Sequence, residues 1–187
     1  NAIPAEERIH KDAPVVIAGN LSPGKATYLY NFDHNVGTHF NLYGIYIEED
    51  KIKNLDYTYK GVGDADKLPE ILEGSYGLVW DGTDIDMCRG EYGEYLKVNN
   101  PHKFSLYLAS CLPIIIWKQA ALADVVEKYN LGFTINSLDD IAVKRKNITE
   151  AQYNQMVENI KRFSKKVSSG YFMKRAMDIV EGKRRIR

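Results

Sequence analysis

Lys103 stands where a polar run, Asn99-Asn100-Pro101-His102, meets the apolar stretch FSLYLASCLPIIIW. Asn100 is a favourable helix cap and Pro101 suits an early helical position, so the pattern predicts a helix opening there. The unpaired N–H groups of such an end attract anions, and Lys103 adds a full positive charge. His102 sits in the same turn and could donate a hydrogen bond or move a proton. A second cation ends the loop Gly19-Asn20-Leu21-Ser22-Pro23-Gly24-Lys25, which follows an apolar run. Its backbone N–H groups could cradle a phosphate that Lys25 neutralises. The loop is read as neither a GxxxxGK[ST] phosphate loop nor a GxGxxG fingerprint. Together the two segments suggest a phosphate site between the layers of an α/β domain.

Asp81, Asp84, Asp86, Glu91 and Glu94 form an acidic segment read as a loop. Asp84-Ile85-Asp86 has the DxD spacing that some transferases use for a metal–diphosphate, but a solvated charge run is the plainer reading. No His/Cys cluster has zinc-ligand spacing, no GxSxG is present, and no metal is expected. The sequon Asn147-Ile148-Thr149 is discounted, because nothing suggests secretion.

The elements that must position these residues alternate. Strands are expected at residues 13–19, 40–47, 57–62, 77–80, 113–117 and 132–135. Helices are expected at 23–30, 66–73, from Pro101, at 119–129, 149–167 and 170–181, with a short helical turn capped by residues 137–140. Such alternation implies a Rossmann-like, mostly parallel sheet with helices on both faces. Ligands then bind beyond the carboxyl ends of the strands. Residues 1–11 read as an extension and 12–187 as one domain.

The 187 residues are 44% hydrophobic, include thirteen Tyr, and carry no net charge. The charge is segregated: residues 143–187 hold 13 Lys and Arg against 4 Asp and Glu, and the rest 12 against 21. The basic C-terminal helices are a solvated face or one turned to an anionic membrane or charged partner. Nucleic acid is disfavoured, because the basic residues lack interleaved aromatics. Two cysteines, Cys88 and Cys111, form no framework, and Cys111 is expected to be a buried thiol. No signal peptide is read, and no apolar run nears the ~20 residues of a membrane span. The expected location is cytoplasmic, at most peripheral at the inner face of the membrane. The chain opens on Asn1-Ala2-Ile3-Pro4, as a piece of a longer chain would.

In order, GNLSPGKATYLY, GSYGLVWDG and NNPHKFSLYLASCLPIII resemble the C-terminal half of a GT-B glycosyltransferase, nearest to bacterial galactofuranosyltransferase-like and glucosyltransferase proteins. The similarity spans roughly residues 12 to 181. It implies a nucleotide-sugar-binding domain whose N-terminal acceptor domain is missing, with a UDP-sugar donor and a saccharide or glycoconjugate acceptor. Lys25 and Lys103 match basic positions that contact the donor diphosphate, with Asn100 and His102 beside the second. Tyr59, Lys60, Gly61 and Val62 match the region that meets the base. With Gly19, Asn20 and Asp81 these complete the expected substrate-binding set. Related families carry Glu at the position of Leu106 to hold the ribose. The resemblance also implies leaving-group stabilisation without a metal, and a fragment inactive alone. Two other readings stand beside it: a catalytically inactive Rossmann-like interaction module, and, disfavoured by the absent GxGxxG, an NAD-type oxidoreductase. Sequence leaves the sugar, the stereochemistry and any homo-oligomer open.

Overall fold

The computed structural model describes residues 8–64 and 66–181. Six strands form one sheet: β1 (Val15–Asn20), β2 (Phe40–Ile45), β3 (Tyr57–Gly61), β4 (Gly77–Val79), β5 (Ile114–Trp117) and β6 (Gly132–Ile135). Their order is β3-β2-β1-β4-β5-β6, and every pairing is parallel. The chain therefore reverses its direction of growth between β1 and β4. A crevice opens at such a switch point, above the carboxyl ends of the strands. The apolar runs VVIA, GLV and IIIW are buried, as central parallel strands require, while β3 alternates half-buried and exposed residues at the sheet edge.

The helices are α1 (Leu68–Ile71), α2 (Gly90–Leu96), α3 (His102–Ala109), α4 (Ala123–Lys128), α5 (Asp140–Asn147), α6 (Glu150–Ser168) and α7 (Tyr171–Val180). Several differ from the sequence expectation. Residues 23–30 hold only turns and a 3-10 segment, Thr27–Tyr30; the Tyr28 N–H donates to Gly82 O at 3.2 Å, outside any helical ladder, and Tyr28 and Leu29 pack into the core. The expected acidic loop contains α2. Gly93 makes its packing possible, since a Cβ there would stand 2.2 Å from the Cys88 carbonyl oxygen. Pro101, not Asn100, is the residue before α3; its ψ of 139° is extended, so the helix begins one residue late. The helix expected over 119–129 is confined to α4, with turns leading in from Trp117. Cys111, expected to be buried, is half-buried, because it turns out of α3 with φ of 62°; Cys88 is the buried cysteine. α6 begins as expected. Thr149 Oγ1 accepts from Gln152 N, while Thr149 N donates to Gln152 Oε1 at 2.8 Å. Within the expected N-terminal extension, Ile9 is buried and bridges to Gly74.

The crevice depends on one side chain. β1 and β4 pair at a single position, Val16 with Gly77, and then part. The ring of Tyr107, from α3, fills the space over Gly77, where a Cβ would lie 2.1 Å from the ring. The Tyr107 hydroxyl accepts from Ala18 N at 3.1 Å and donates to Leu78 O at 3.2 Å. It thus bridges backbone groups of the separated strands, and burial keeps it protonated by pushing its pKa well up. Tyr153 anchors α6 similarly, donating to Ser75 O at 2.7 Å. Farther out, His34 joins the β1–β2 connection to α5 through Asp139 at 2.7 Å, with Asp33 at 2.6 Å on its other nitrogen.

Two outcomes are expected. Gly77→Ala should destabilise the fold by about 1–3 kcal/mol through overpacking, and Tyr107→Phe by about 1–3 kcal/mol by orphaning Ala18 N and Leu78 O. Urea unfolding measures both, and unchanged midpoints would contradict the bridge. Hydrogen bonds to Asp139 and then Asp33 raise the His34 pKa above 6.5. A raised folded pKa gives stability that is fully present below the unfolded value and lost as pH rises through the folded one. Melting temperature should fall across that window above pH 6.5, and the fall should be shallower in His34→Ala.

Candidate functional site

A cleft of about 590 Å³ lies in the crevice above β1 and β4. One wall is the end of β1 and its loop: Ala18, Gly19, Asn20 and Lys25. The opposite wall is α2 with Tyr92, Tyr95 and Leu96, followed by residues 99–103 and Leu106. Asp81 contributes from just past β4, and Leu68 of α1 closes the side toward β3. A second hollow of about 570 Å³ lies between α3, α4, α6 and α7. Its walls are mostly apolar, with Phe104, Leu108, Val125, Phe163 and Phe172, and among the described residues hold a single lysine, Lys128, beside Asp124. The chemistry gathers in the first cleft.

Lys103 occupies the first turn of α3, four residues before Tyr107, so both project from one face of the helix. Its Nζ donates to Trp80 O at 3.0 Å and to Asp81 Oδ1 at 2.9 Å. The pair is well shielded, with 18% and 9% of the two side chains exposed. No side chain caps α3, so its first N–H groups can meet an acceptor in the cleft. Lys25 approaches from the other wall and sits 3.4 Å above the ring centroid of Tyr92. Burial lowers its pKa from the usual lysine value; Asp81 opposes the shift and Lys103 adds to it. The two ammonium groups therefore sense one another. Asn20 Oδ1 accepts from Ser22 N at 2.9 Å, which folds the β1 loop toward the cleft.

Gly19 and Gly24-Lys25 do have GxxxxGK spacing, but Ala26 stands where that motif has Ser or Thr, and a 3-10 turn follows instead of an α-helix. Of the residues singled out in sequence, Gly19, Asn20, Lys25, Asp81, Asn100, His102 and Lys103 line one cleft. Tyr59, Lys60, Gly61 and Val62 do not. They belong to or follow edge strand β3, two strands from the switch point. Tyr59 donates to Gly44 O at 2.8 Å and Lys60 pairs with Glu73 at 3.2 Å. Sequence reasoning missed Tyr92, Tyr95, Leu96 and Leu68, which also line the cleft. The i, i+3, i+4 spacing of Tyr92, Tyr95 and Leu96 was the available signal, hidden by two glycines and the surrounding charge.

The DxD turn faces elsewhere. Asp84 O accepts from Trp80 Nε1 at 3.0 Å, its carboxylate accepts from Thr83 Oγ1, and Ile85 is buried. Among the described residues no three His, Cys, Asp or Glu side chains form a group that could hold a metal ion. Burial pushes the Cys88 thiol far up, which leaves it a poor nucleophile. Among the described residues no helix is long and apolar enough to cross a membrane.

Comparison with known proteins agrees with this fold. The chain is 37% identical over 173 residues to the beta-1,6-galactofuranosyltransferase WbbI of Escherichia coli K12, covering 91% of this chain and 50% of WbbI. It is 31% identical over 131 residues to Glucosyltransferase 3 of Streptococcus gordonii, covering 70% of this chain and 38% of that protein. The chain thus spans half or less of the length of these relatives. Among solved structures, a single-residue mutant of S. aureus TarM, in complex with fondaparinux, alpha-GlcNAc-glycerol and UDP, superposes with a TM-score of 0.59 at 13% identity. That match covers 95% of this chain and 37% of TarM. T4 phage BGT, in complex with UDP and Mn2+, gives 0.56 at 14%, covering 90% and 49%. At such identity these two show the fold alone, a GT-B glycosyltransferase half. Residues 15–180 match the family described as Glucosyltransferase 3-like, C-terminal domain, and the chain belongs to that glycosyltransferase family.

Proposed function

We propose that this chain is the donor-binding domain of a glycosyltransferase that moves a hexosyl group from a UDP-sugar to a saccharide or glycoconjugate acceptor. The observation that carries the reading is the convergence of Lys25, Lys103 and the uncapped start of α3 on one cleft at the switch point. A diphosphate has the charge and the acceptor oxygens to use all three. The 37% identity to a galactofuranosyltransferase supports a sugar nucleotide as the source of that diphosphate.

In glycosyl transfer the bond from the anomeric carbon to the diphosphate oxygen breaks, and an acceptor hydroxyl oxygen bonds to that carbon and loses its proton. Negative charge grows on the leaving diphosphate. Cations held in place before the reaction stabilise that charge without reorganising. Lys103 is positioned by Asp81 and the Trp80 carbonyl, and Lys25 faces it from the other wall. In this reading both stabilise the leaving group, and the chain's own residues do so without a metal. An interaction module without catalysis would need neither lysine in the cleft.

Calorimetric titration should show binding of UDP in preference to GDP and NAD, with the same isotherm in EDTA. Lys103→Met should weaken UDP binding by about 10- to 100-fold, the effect of removing a charged hydrogen bond. Because that change also leaves Asp81 buried and unpaired, Lys103→Met combined with Asp81→Asn serves as the control for folding. Wild-type affinity in either variant would place the diphosphate elsewhere. The 187-residue chain alone should release no measurable UDP from a UDP-sugar in the presence of acceptor; robust turnover would overturn the two-domain reading.

A further inference from the structure

The two cations of the cleft are held in unlike ways. Lys103 is fixed by an ion pair and a carbonyl, with its partners at 2.9 and 3.0 Å. Lys25 has an aromatic face instead, 3.4 Å beneath its Nζ at the centre of the Tyr92 ring. An ammonium on a ring face is attracted by the ring quadrupole, yet it keeps N–H groups on the far side for another acceptor. A carboxylate partner would take up those donors and cancel the charge; a ring does neither. The β1 loop alone supplies few restraints on so long a side chain, which loses much rotamer freedom when it is ordered.

The seat of Tyr92 is built for this position. α2 starts after Arg89, and its first residue Gly90 has a φ of 78°, which favours glycine. It lies against the 80–88 segment through Gly93, and its end is tied to the β5 exit by Ala121 N donating to Leu96 O at 3.0 Å. Tyr92 itself is 40% exposed, so core packing does not account for an aromatic residue there.

We infer that Tyr92 is a positioning residue, whose ring holds the Lys25 ammonium in the cleft with its donors free for a diphosphate. The inference rests on the donor-binding reading and adds to it a residue of α2. Tyr92 acts through Lys25 and touches no reacting atom.

A double-mutant cycle on Tyr92 and Lys25 tests it, read by calorimetry with UDP, inorganic pyrophosphate and uridine. Tyr92→Leu should weaken UDP and pyrophosphate by about five- to tenfold and leave uridine unchanged. Tyr92→Phe, which keeps the ring, should bind as the unsubstituted chain does. In a Lys25→Met background Tyr92→Leu should cost nothing more. An equal loss in that background, an equal loss in Tyr92→Phe, or a matching loss for uridine would each overturn the inference. A readout without ligand is the upfield ring-current shift of the Lys25 ε-protons. It should persist in Tyr92→Phe and vanish in Tyr92→Leu; its absence from the unsubstituted chain overturns the contact. Failure of the unsubstituted chain to bind UDP overturns the donor reading instead, and pyrophosphate with the ring-current shift then decides the role of Tyr92.

Discussion

The hydroxyl of Tyr107 sits where β1 and β4 stop pairing, and much of the molecule follows from that placement. Two parallel strands that separate leave backbone N–H and C=O groups without ladder partners, and a buried orphan of this kind is costly. The phenol satisfies Ala18 N and Leu78 O together. Its ring needs a residue without a Cβ beneath it, and Gly77 is that residue. α3 is thereby set at one height and rotation over the sheet. Lys103, one turn earlier on the same helix face, is delivered to the mouth of the crevice. Packing and the site are one constraint: the residue that closes the core also aims the cation.

Charge in this cleft is organised by burial. Asp81 and Lys103 are both largely withdrawn from water, and their attraction must offset the cost of that withdrawal. A pair of this sort is weak evidence for stability but strong evidence for fixed geometry, since either partner alone would be a stranded charge. Lys25 is less deeply withdrawn, and partial burial still leads the causes of its lowered pKa. Charges in such a place act on a ligand more strongly than surface charges do, because solvent screens them less.

The parallel order of the sheet was legible because buried strands such as IIIW read as uninterrupted apolar runs and the helices between them show their own period. The start of α6 was legible because Thr149 and Gln152 carry a cap that is entirely local. The failures share a cause. The helix expected after Gly24-Lys25 gave way to a 3-10 turn whose Tyr28 N–H is taken by the distant Gly82 carbonyl. α2 was read as loop because its glycines and charges look unstructured until the Cys88 backbone is seen beneath Gly93. Each depends on packing against the rest of the fold, which local propensity cannot weigh.

Sequence by itself determined the class of fold, because short-range period encodes it; the resemblance of its ordered motifs pointed to the family, and residue type singled out the two lysines that line the cleft. It could not rank Lys25 against an ordinary exposed lysine, nor show that Asp81 is the partner of Lys103, 22 residues away. It assigned Tyr59, Lys60, Gly61 and Val62 to the ligand region, whereas the strand order sets them at the sheet edge and brings Tyr92 and Tyr95 to the cleft instead. Only the tertiary structure decided these matters, since they follow from how far apart β1 and β4 are held and which loops that gap admits.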